Sequence, residues 1–185
     1  MIADWEAAFA PYDEETYRFV ARRIQPWDVV LDIGAGDLRL SRRLAAIACR
    51  VHAVEQHAGL IRKADRGNWP ANLFVVQADA LTWPFPEEIT VAVLLMRHCT
   101  QAHFSNYAAR LIHTTNCQRL FTNARWKMGV EEVQLRSGQR YDPAQIGWYA
   151  CQCGATGFTP GDPDLITTQV LNEVAEVTNC PHCGA

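Results

Sequence analysis

The sequence predicts a doubly wound α/β domain, a mostly parallel sheet with helices on both faces, followed by a small metal-stapled segment. Three observations predict it. Strand and helix patterns alternate at least four times between residues 13 and 122. A glycine turn, Gly34-Ala35-Gly36, joins the first strand to the next helix. Four of the seven cysteines fall in two close pairs after residue 150.

Taken in order, residues 13–24 read as a helix, with acids at its start, arginines at its end and Pro26 beyond it. Tyr17, Val20, Ala21 and Ile24 give it an apolar stripe. The run 29–33 reads as a buried strand interrupted only by Asp32. A helix is expected over 38–48, a strand over 51–54 ending at Glu55, and a helix over 57–67. Strands follow over 73–76 and 89–96, then a helix over 103–113 and a strand over 119–122. After residue 130 the rhythm changes. Strands are expected over 130–135 and 146–150, a turn-rich stretch over 154–163, and an exposed strand over 170–177. These patterns divide the chain into a core, 1–145, and a tail, 146–185.

With 185 residues, 49% of them hydrophobic, the chain can bury one ordinary globular core. Its longest apolar runs are too short to span a membrane. The acidic N-terminus does not read as a signal peptide, so a cytoplasmic protein is expected. Charge is unevenly spread. Residues 97–140 hold 7 Lys/Arg against 2 Asp/Glu, whereas residues 141–185 hold 5 acids and no Lys or Arg. A basic middle and an acidic tail bear on partners, with an anionic acceptor suiting the first and a protein contact the second.

The glycine turn lets a ligand approach the backbone and the N-terminus of the next helix. Glu55 lies 21 residues after Gly34, at the end of the second strand, where a carboxylate accepts ribose hydroxyls. Asp79, after the third strand, is placed to accept an adenine amino proton. Asp32, Glu55 and Asp79 are thus delivered to the sheet edge at which open α/β sheets bind ligands. Arg39 stands where a dinucleotide fingerprint needs its third glycine, and there is no P-loop lysine. Asp32 would repel a pyrophosphate but suits an ammonium. S-adenosylmethionine (SAM) carries an ammonium and a sulfonium beside its adenosine.

Leu31-Asp32-Ile33-Gly34-Ala35-Gly36, Val51 to Glu55, Gln77-Ala78-Asp79-Ala80 and the strand 89–96 resemble, in order, four motifs of the class I, Rossmann-like SAM-dependent methyltransferases. The resemblance covers about residues 10–125, and around Glu55 it is similar to the RNA adenine dimethyltransferase branch. It implies that Asp32, Gly34 and Gly36 surround the methionine part, that Glu55 takes the ribose and Asp79 the adenine, and that Ala80 and Met96 line the pocket. One departure is Leu38, where the family often has a third glycine.

In-line methyl displacement needs positioning and sometimes a base. The acceptor side falls on Met96-Arg97-His98-Cys99, with His98 a candidate base and Arg97 a candidate anion clamp. The Asn/Asp-Pro-Pro-aromatic motif of enzymes that methylate exocyclic amines is absent there. Cys99 lacks the preceding proline of carbon-methylating nucleophiles and reads as an inert cysteine. Arg125, Trp126 and Lys127 follow the fifth strand. Trp126 either stacks on an acceptor ring or packs the tail onto the core.

Cys151-Gln152-Cys153-Gly154 and Cys180-Pro181-His182-Cys183-Gly184 read as two knuckles of a zinc ribbon. Four thiolates bind Zn²⁺ tetrahedrally and close a structural site, which stabilises a tail too small to have its own core. A redox thiol pair is the alternative. With no cation after Arg140 the ribbon reads as a lid or a protein contact rather than a phosphate binder. The expected function is methyl transfer from SAM to an acceptor beside 96–99 and 123–127. RNA is favoured by charge, with a protein or small molecule close behind. The alternative is a non-catalytic interaction module on the same fold.

Overall fold

The computed structural model describes residues 13–64, 69–96, 99–125 and 129–183. Its first sheet has six strands: β1 (Val29–Ile33), β2 (Arg50–Glu55), β3 (Leu73–Gln77), β4 (Val91–Leu94), β5 (Arg119–Thr122) and β6 (Glu131–Gln134). Their order is β3-β2-β1-β4-β5-β6. The first five run parallel and β6 returns antiparallel to β5, pairing Glu131 with Thr122. The carboxyl ends of β1 to β5 therefore share one edge with the start of β6.

Alternation along the strands sorts the core into two layers. Val30, Val51, Ala53, Val91, Val93 and Phe121 pack toward α1 (Glu14–Ala21) and α2 (Arg39–Ala45), meeting Tyr17, Val20, Leu40 and Leu44. Leu31, Ile33, Val54, Ala92, Leu94 and Leu120 pack on the other face with Phe104, Tyr107, Ala108 and Leu111 of α4 (Gln101–Thr114). A shorter helix, α3 (Ala58–Lys63), follows β2. The expected α/β fold with a mostly parallel, doubly wound sheet is what forms. Asp13 caps α1 by accepting from Thr16 N–H, and Thr100 and His103 cap α4 reciprocally.

The tail strands β8 (Gly147–Cys151), β9 (Thr156–Thr159) and β10 (Val174–Thr178) form a second sheet with β7 (Gln139–Arg140), which lies ahead of residue 146, in the order β7-β10-β8-β9. Two departures from expectation occur here. The turn-rich stretch 154–163 also holds a strand that was not expected, β9. Gly157 is there for close approach: a Cβ on it would sit 2.6 Å from the Tyr149 hydroxyl oxygen. Residues 170–177 are not one strand. Thr167 accepts from Val170 N–H and starts a helix, α5 (Thr168–Asn172), and only Val174–Thr178 is extended. Among the described residues no helix is long and apolar enough to cross a membrane.

Candidate functional site

The glycine turn leaves β1 at the carboxyl edge. Gly34 and Gly36 both have positive φ, 72° and 58°. At Gly34 space as well as φ excludes a side chain, since an added Cβ would lie 2.6 Å from Met96 Sδ. Met96 thus closes over the turn. Leu38 also has positive φ, 65°, at the entrance to α2, and is fully buried. The leucine adopts the left-handed backbone that a glycine would take without strain, and its side chain fills the core.

Asp32 is 4% exposed and accepts from the Ser41 hydroxyl of α2 at 2.6 Å. Burial pushes its carboxyl up to about 6. The Ser41 hydrogen bond opposes that shift and the Glu55 charge adds to it. Glu55, also buried, turns back onto the turn: Oε2 accepts from Gly36 N–H at 2.8 Å and Oε1 from His57 N–H at 2.7 Å. Each bond uses one lone pair per oxygen, so two remain for a ligand.

Asp79 closes the turn after β3, its Oδ1 accepting from Leu81 N–H at 2.8 Å. Ala80 is buried, and Arg110 of α4 donates to its carbonyl and to that of Trp83. Asp32, Gly34, Gly36, Glu55 and Met96 are therefore joined by contact or charge around one turn. Asp79 and Ala80 stand at the end of the third strand along the same edge, held by α4. Sequence reasoning missed Ser41 and Arg110, whose partners lie 9 and 30 residues away with no local signature.

At the acceptor side, Arg97, His98, Trp126 and Lys127 lie outside the described residues. Asn123, just after β5, donates from Nδ2 to the Met96 carbonyl at 3.4 Å. Burial pushes the Cys99 thiol up to about 11, consistent with an inert cysteine. Among the described residues, the basic middle segment is not a free cationic face. Arg110 holds the loop after β3, and Arg119 pairs with buried Asp28 at 2.7 Å. Arg136 donates to the carbonyls of Ile112, Thr115 and Cys117, and Arg125 is clamped between Glu131 and Glu176. Four of the seven cations in residues 97–140 thus serve the fold, so the segmental charge loses its weight as a sign of an anionic acceptor.

In the tail, the sulfurs of Cys151, Cys153, Cys180 and Cys183 lie within 4.8 Å of one another. Cys151–Cys183 and Cys153–Cys180 are 3.7 Å apart, and Cys180–Cys183 is 3.9 Å. Ligands about 2.3 Å from a tetrahedral Zn²⁺ have edges of about 3.8 Å, whereas a disulfide needs about 2.05 Å. The donor set and its spacing fit zinc. Burial opposes the Cys151 thiolate, but N–H groups of Cys153 and Cys180 outweigh it and lower its pKa. Gly154 has φ 92°, as the knuckle turn requires, and exposed His182 stands outside the sulfur cluster. An open cavity of about 610 Å³ lies at one end of the tail sheet, lined by Gln139, Gln145, Trp148, Glu173 and Glu176 among others. It touches none of the glycine-turn residues.

Residues 30–119 match the family model of a methyltransferase domain. Among curated proteins, "Probable ribosomal RNA small subunit methyltransferase A" of Methanosarcina barkeri is 34% identical over 117 residues, covering 53% of this chain and 40% of the relative. The protein of the same name from Methanosarcina acetivorans is 42% identical over 69 residues, covering 37% and 26%. The chain thus spans less than half the length of these relatives. Among solved structures, the 23S rRNA methyltransferase ErmE superposes with a TM-score of 0.51 at 24% identity, covering 60% of this chain and 46% of that one. The DhpI–SAH complex superposes with a TM-score of 0.51 at 16% identity, covering 71% and 72%. These likenesses show the Rossmann-like fold.

Proposed function

We propose that the chain is a SAM-dependent methyltransferase whose cofactor sits at the carboxyl edge of β1 to β4. The observation that carries this reading is the convergence of Asp32 and Glu55 on the Gly34–Gly36 turn, within the stretch that matches a methyltransferase domain. SAM supplies an activated methyl on a sulfonium. Buried Asp32 offers its charge to the ammonium, which would draw its pKa back down. Glu55 keeps two lone pairs for the ribose hydroxyls while its bond to Gly36 N–H holds the turn in shape. Asp79 and Ala80 border the adenine, and Met96, over Gly34, forms the wall between cofactor and acceptor. Gly34 and Gly36 admit the ligand to the backbone because neither carries a side chain.

Acceptor chemistry is assigned to residues 96–99, with His98 as base and Arg97 as anion clamp. The favoured acceptor is RNA. This rests on the rRNA methyltransferase names of the relatives and no longer on segment charge. The tail, 146–185, carries one structural Zn²⁺ on Cys151, Cys153, Cys180 and Cys183. The test is transfer of labelled methyl from SAM to a small-subunit rRNA transcript, with total protein and small-molecule extracts in parallel. Label in RNA supports the full reading. Label only in protein or small molecules keeps the activity and overturns the acceptor. No label anywhere, from protein that binds SAM, favours the non-catalytic module.

A further inference from the structure

Among the described residues, a buried cation joins the tail to the core. Arg125 lies three residues beyond the end of β5, at the carboxyl edge, and its side chain is fully buried. Its guanidinium donates to Glu131 of β6 at 2.8 Å and grips both oxygens of Glu176 of β10, at 2.5 and 2.6 Å. It also lies 5.9 Å from the Phe104 ring centroid in the first turn of α4. Burial alone would lower its pKa. The bonds to Glu176 and Glu131 more than offset this, so the charge stays on the guanidinium.

Glu176 is one residue from the sulfur cluster's own packing. Its neighbour Val177 pairs in register with Cys151 and accepts from Gln152 N–H at 3.1 Å. Val177 packs with Cys151 and Cys180 in a single apolar cluster. On the core side, two residues before Arg125, Asn123 bonds the carbonyl of Met96, whose sulfur covers Gly34.

We infer that Arg125 is a positioning residue through which the cysteine-bearing tail sets residues 123–125 at the acceptor side, after β5; this rests on the methyl-transfer reading above. A buried guanidinium cannot keep its place with half its partners gone, because an uncompensated buried charge is strongly disfavoured. Glu176 is 42% exposed, so it stays against Arg125 only while β10 is held there. β10 pairs with β8 from Val174–Trp148 to Val177–Cys151, a metal on the four cysteines would staple the ends of the two strands, and β10 carries Glu176. Residues 123–125 are thereby fixed from outside the cofactor domain, while the Asp32 and Glu55 contacts at the glycine turn do not pass through them.

The test uses the full zinc-loaded chain. Three arms are compared with wild type: Glu176→Gln, chelation of the metal, and the neutral triple variant Arg125→Met, Glu131→Gln, Glu176→Gln. The triple variant removes the charges together, so it loses the clamp without leaving an uncompensated buried ion. Hydrogen exchange of residues 122–134, SAM affinity, and kcat and KM for methyl transfer to the rRNA transcript are measured. The expected result in every arm is about tenfold faster exchange in 122–134, the loss of one charge-assisted bond. Exchange in β1 to β4 and SAM affinity stay unchanged, and kcat falls about tenfold with KM for SAM unmoved. Two outcomes overturn the inference: a chelated chain whose 122–134 exchange matches wild type, or a triple variant with wild-type kcat. If wild type transfers no methyl, the functional reading fails, and the exchange arms still decide whether the tail holds residues 123–125.

Discussion

Replacing Asp32 by Asn should stabilise the free protein and do so more as pH rises. Asp32 is 4% exposed, and its carboxyl titrates at about 6 in the folded chain against 3.8 for the ordinary group. A carboxylate whose folded pKa is raised binds more protons folded than unfolded between those values. Its contribution to stability is therefore present below about 3.8 and is lost as pH climbs through about 6. The full penalty above that window is about 3 kcal/mol, from a shift of about two units at about 1.4 kcal/mol each. At pH 4.5 roughly a third of it is already expressed. Asparagine carries no charge and can still accept from Ser41, while its unpaired amide costs about 1 kcal/mol at all pH values. Urea unfolding of wild type and Asp32→Asn should thus show a stability difference that widens by about 2 kcal/mol in the variant's favour between pH 4.5 and 7.5. A difference that is flat across this range would refute a buried, high-pKa carboxylate. On the role proposed for Asp32, the same substitution should weaken SAM binding, because it removes the charge that would meet the ligand's ammonium.

Two further perturbations test the turn and the thiols. Leu38→Ala loses core burial and keeps the left-handed strain, so it should cost about 2–4 kcal/mol. Leu38→Gly loses one more methyl but relieves about 1 kcal/mol of strain, so chemical denaturation should find it no worse than Leu38→Ala. A glycine variant weaker by more than about 1 kcal/mol would show that Leu38 is unstrained. A thiol reagent at pH 7.4 should label exposed Cys49 readily and spare Cys99 and Cys117, whose thiols burial pushes up to about 11 and about 12. Chelation should add the four tail cysteines to the labelled set. Mass spectrometry showing those four labelled before chelation would contradict a closed metal site.

What was legible in the sequence was local. Strands β1 to β5 are short apolar runs; β1 ends at the Gly34 turn, β2 at Glu55 and β3 just before Asp79, whereas β4 stops at Leu94 inside its apolar run, short of the expected 89–96. The knuckle cysteines announce themselves by spacing. What was not legible depends on distant partners. Ser41 looks like any helix serine until α2 folds its hydroxyl onto Asp32. Glu176 looks like one tail acid among five until it meets Arg125, 51 residues earlier. The arginines of the middle segment read as surface charge because sequence does not show the carbonyls and carboxylates they bind. Helix α5 was hidden because its cap, Thr167, lies ahead of the alternating pattern over 170–177, whose first residues the helix takes.

The Gly34–Gly36 turn, flanked by Asp32 and Glu55, is proposed as a SAM site. The direct measurement is calorimetric titration of zinc-loaded protein with SAM and S-adenosylhomocysteine, beside Glu55→Ala. The account predicts one site per chain with a Kd of the order of micromolar, corresponding to roughly −8 kcal/mol, and at least about a tenfold loss in the variant. A well-folded wild type that binds neither ligand, or a Glu55→Ala variant that binds as wild type does, would contradict it.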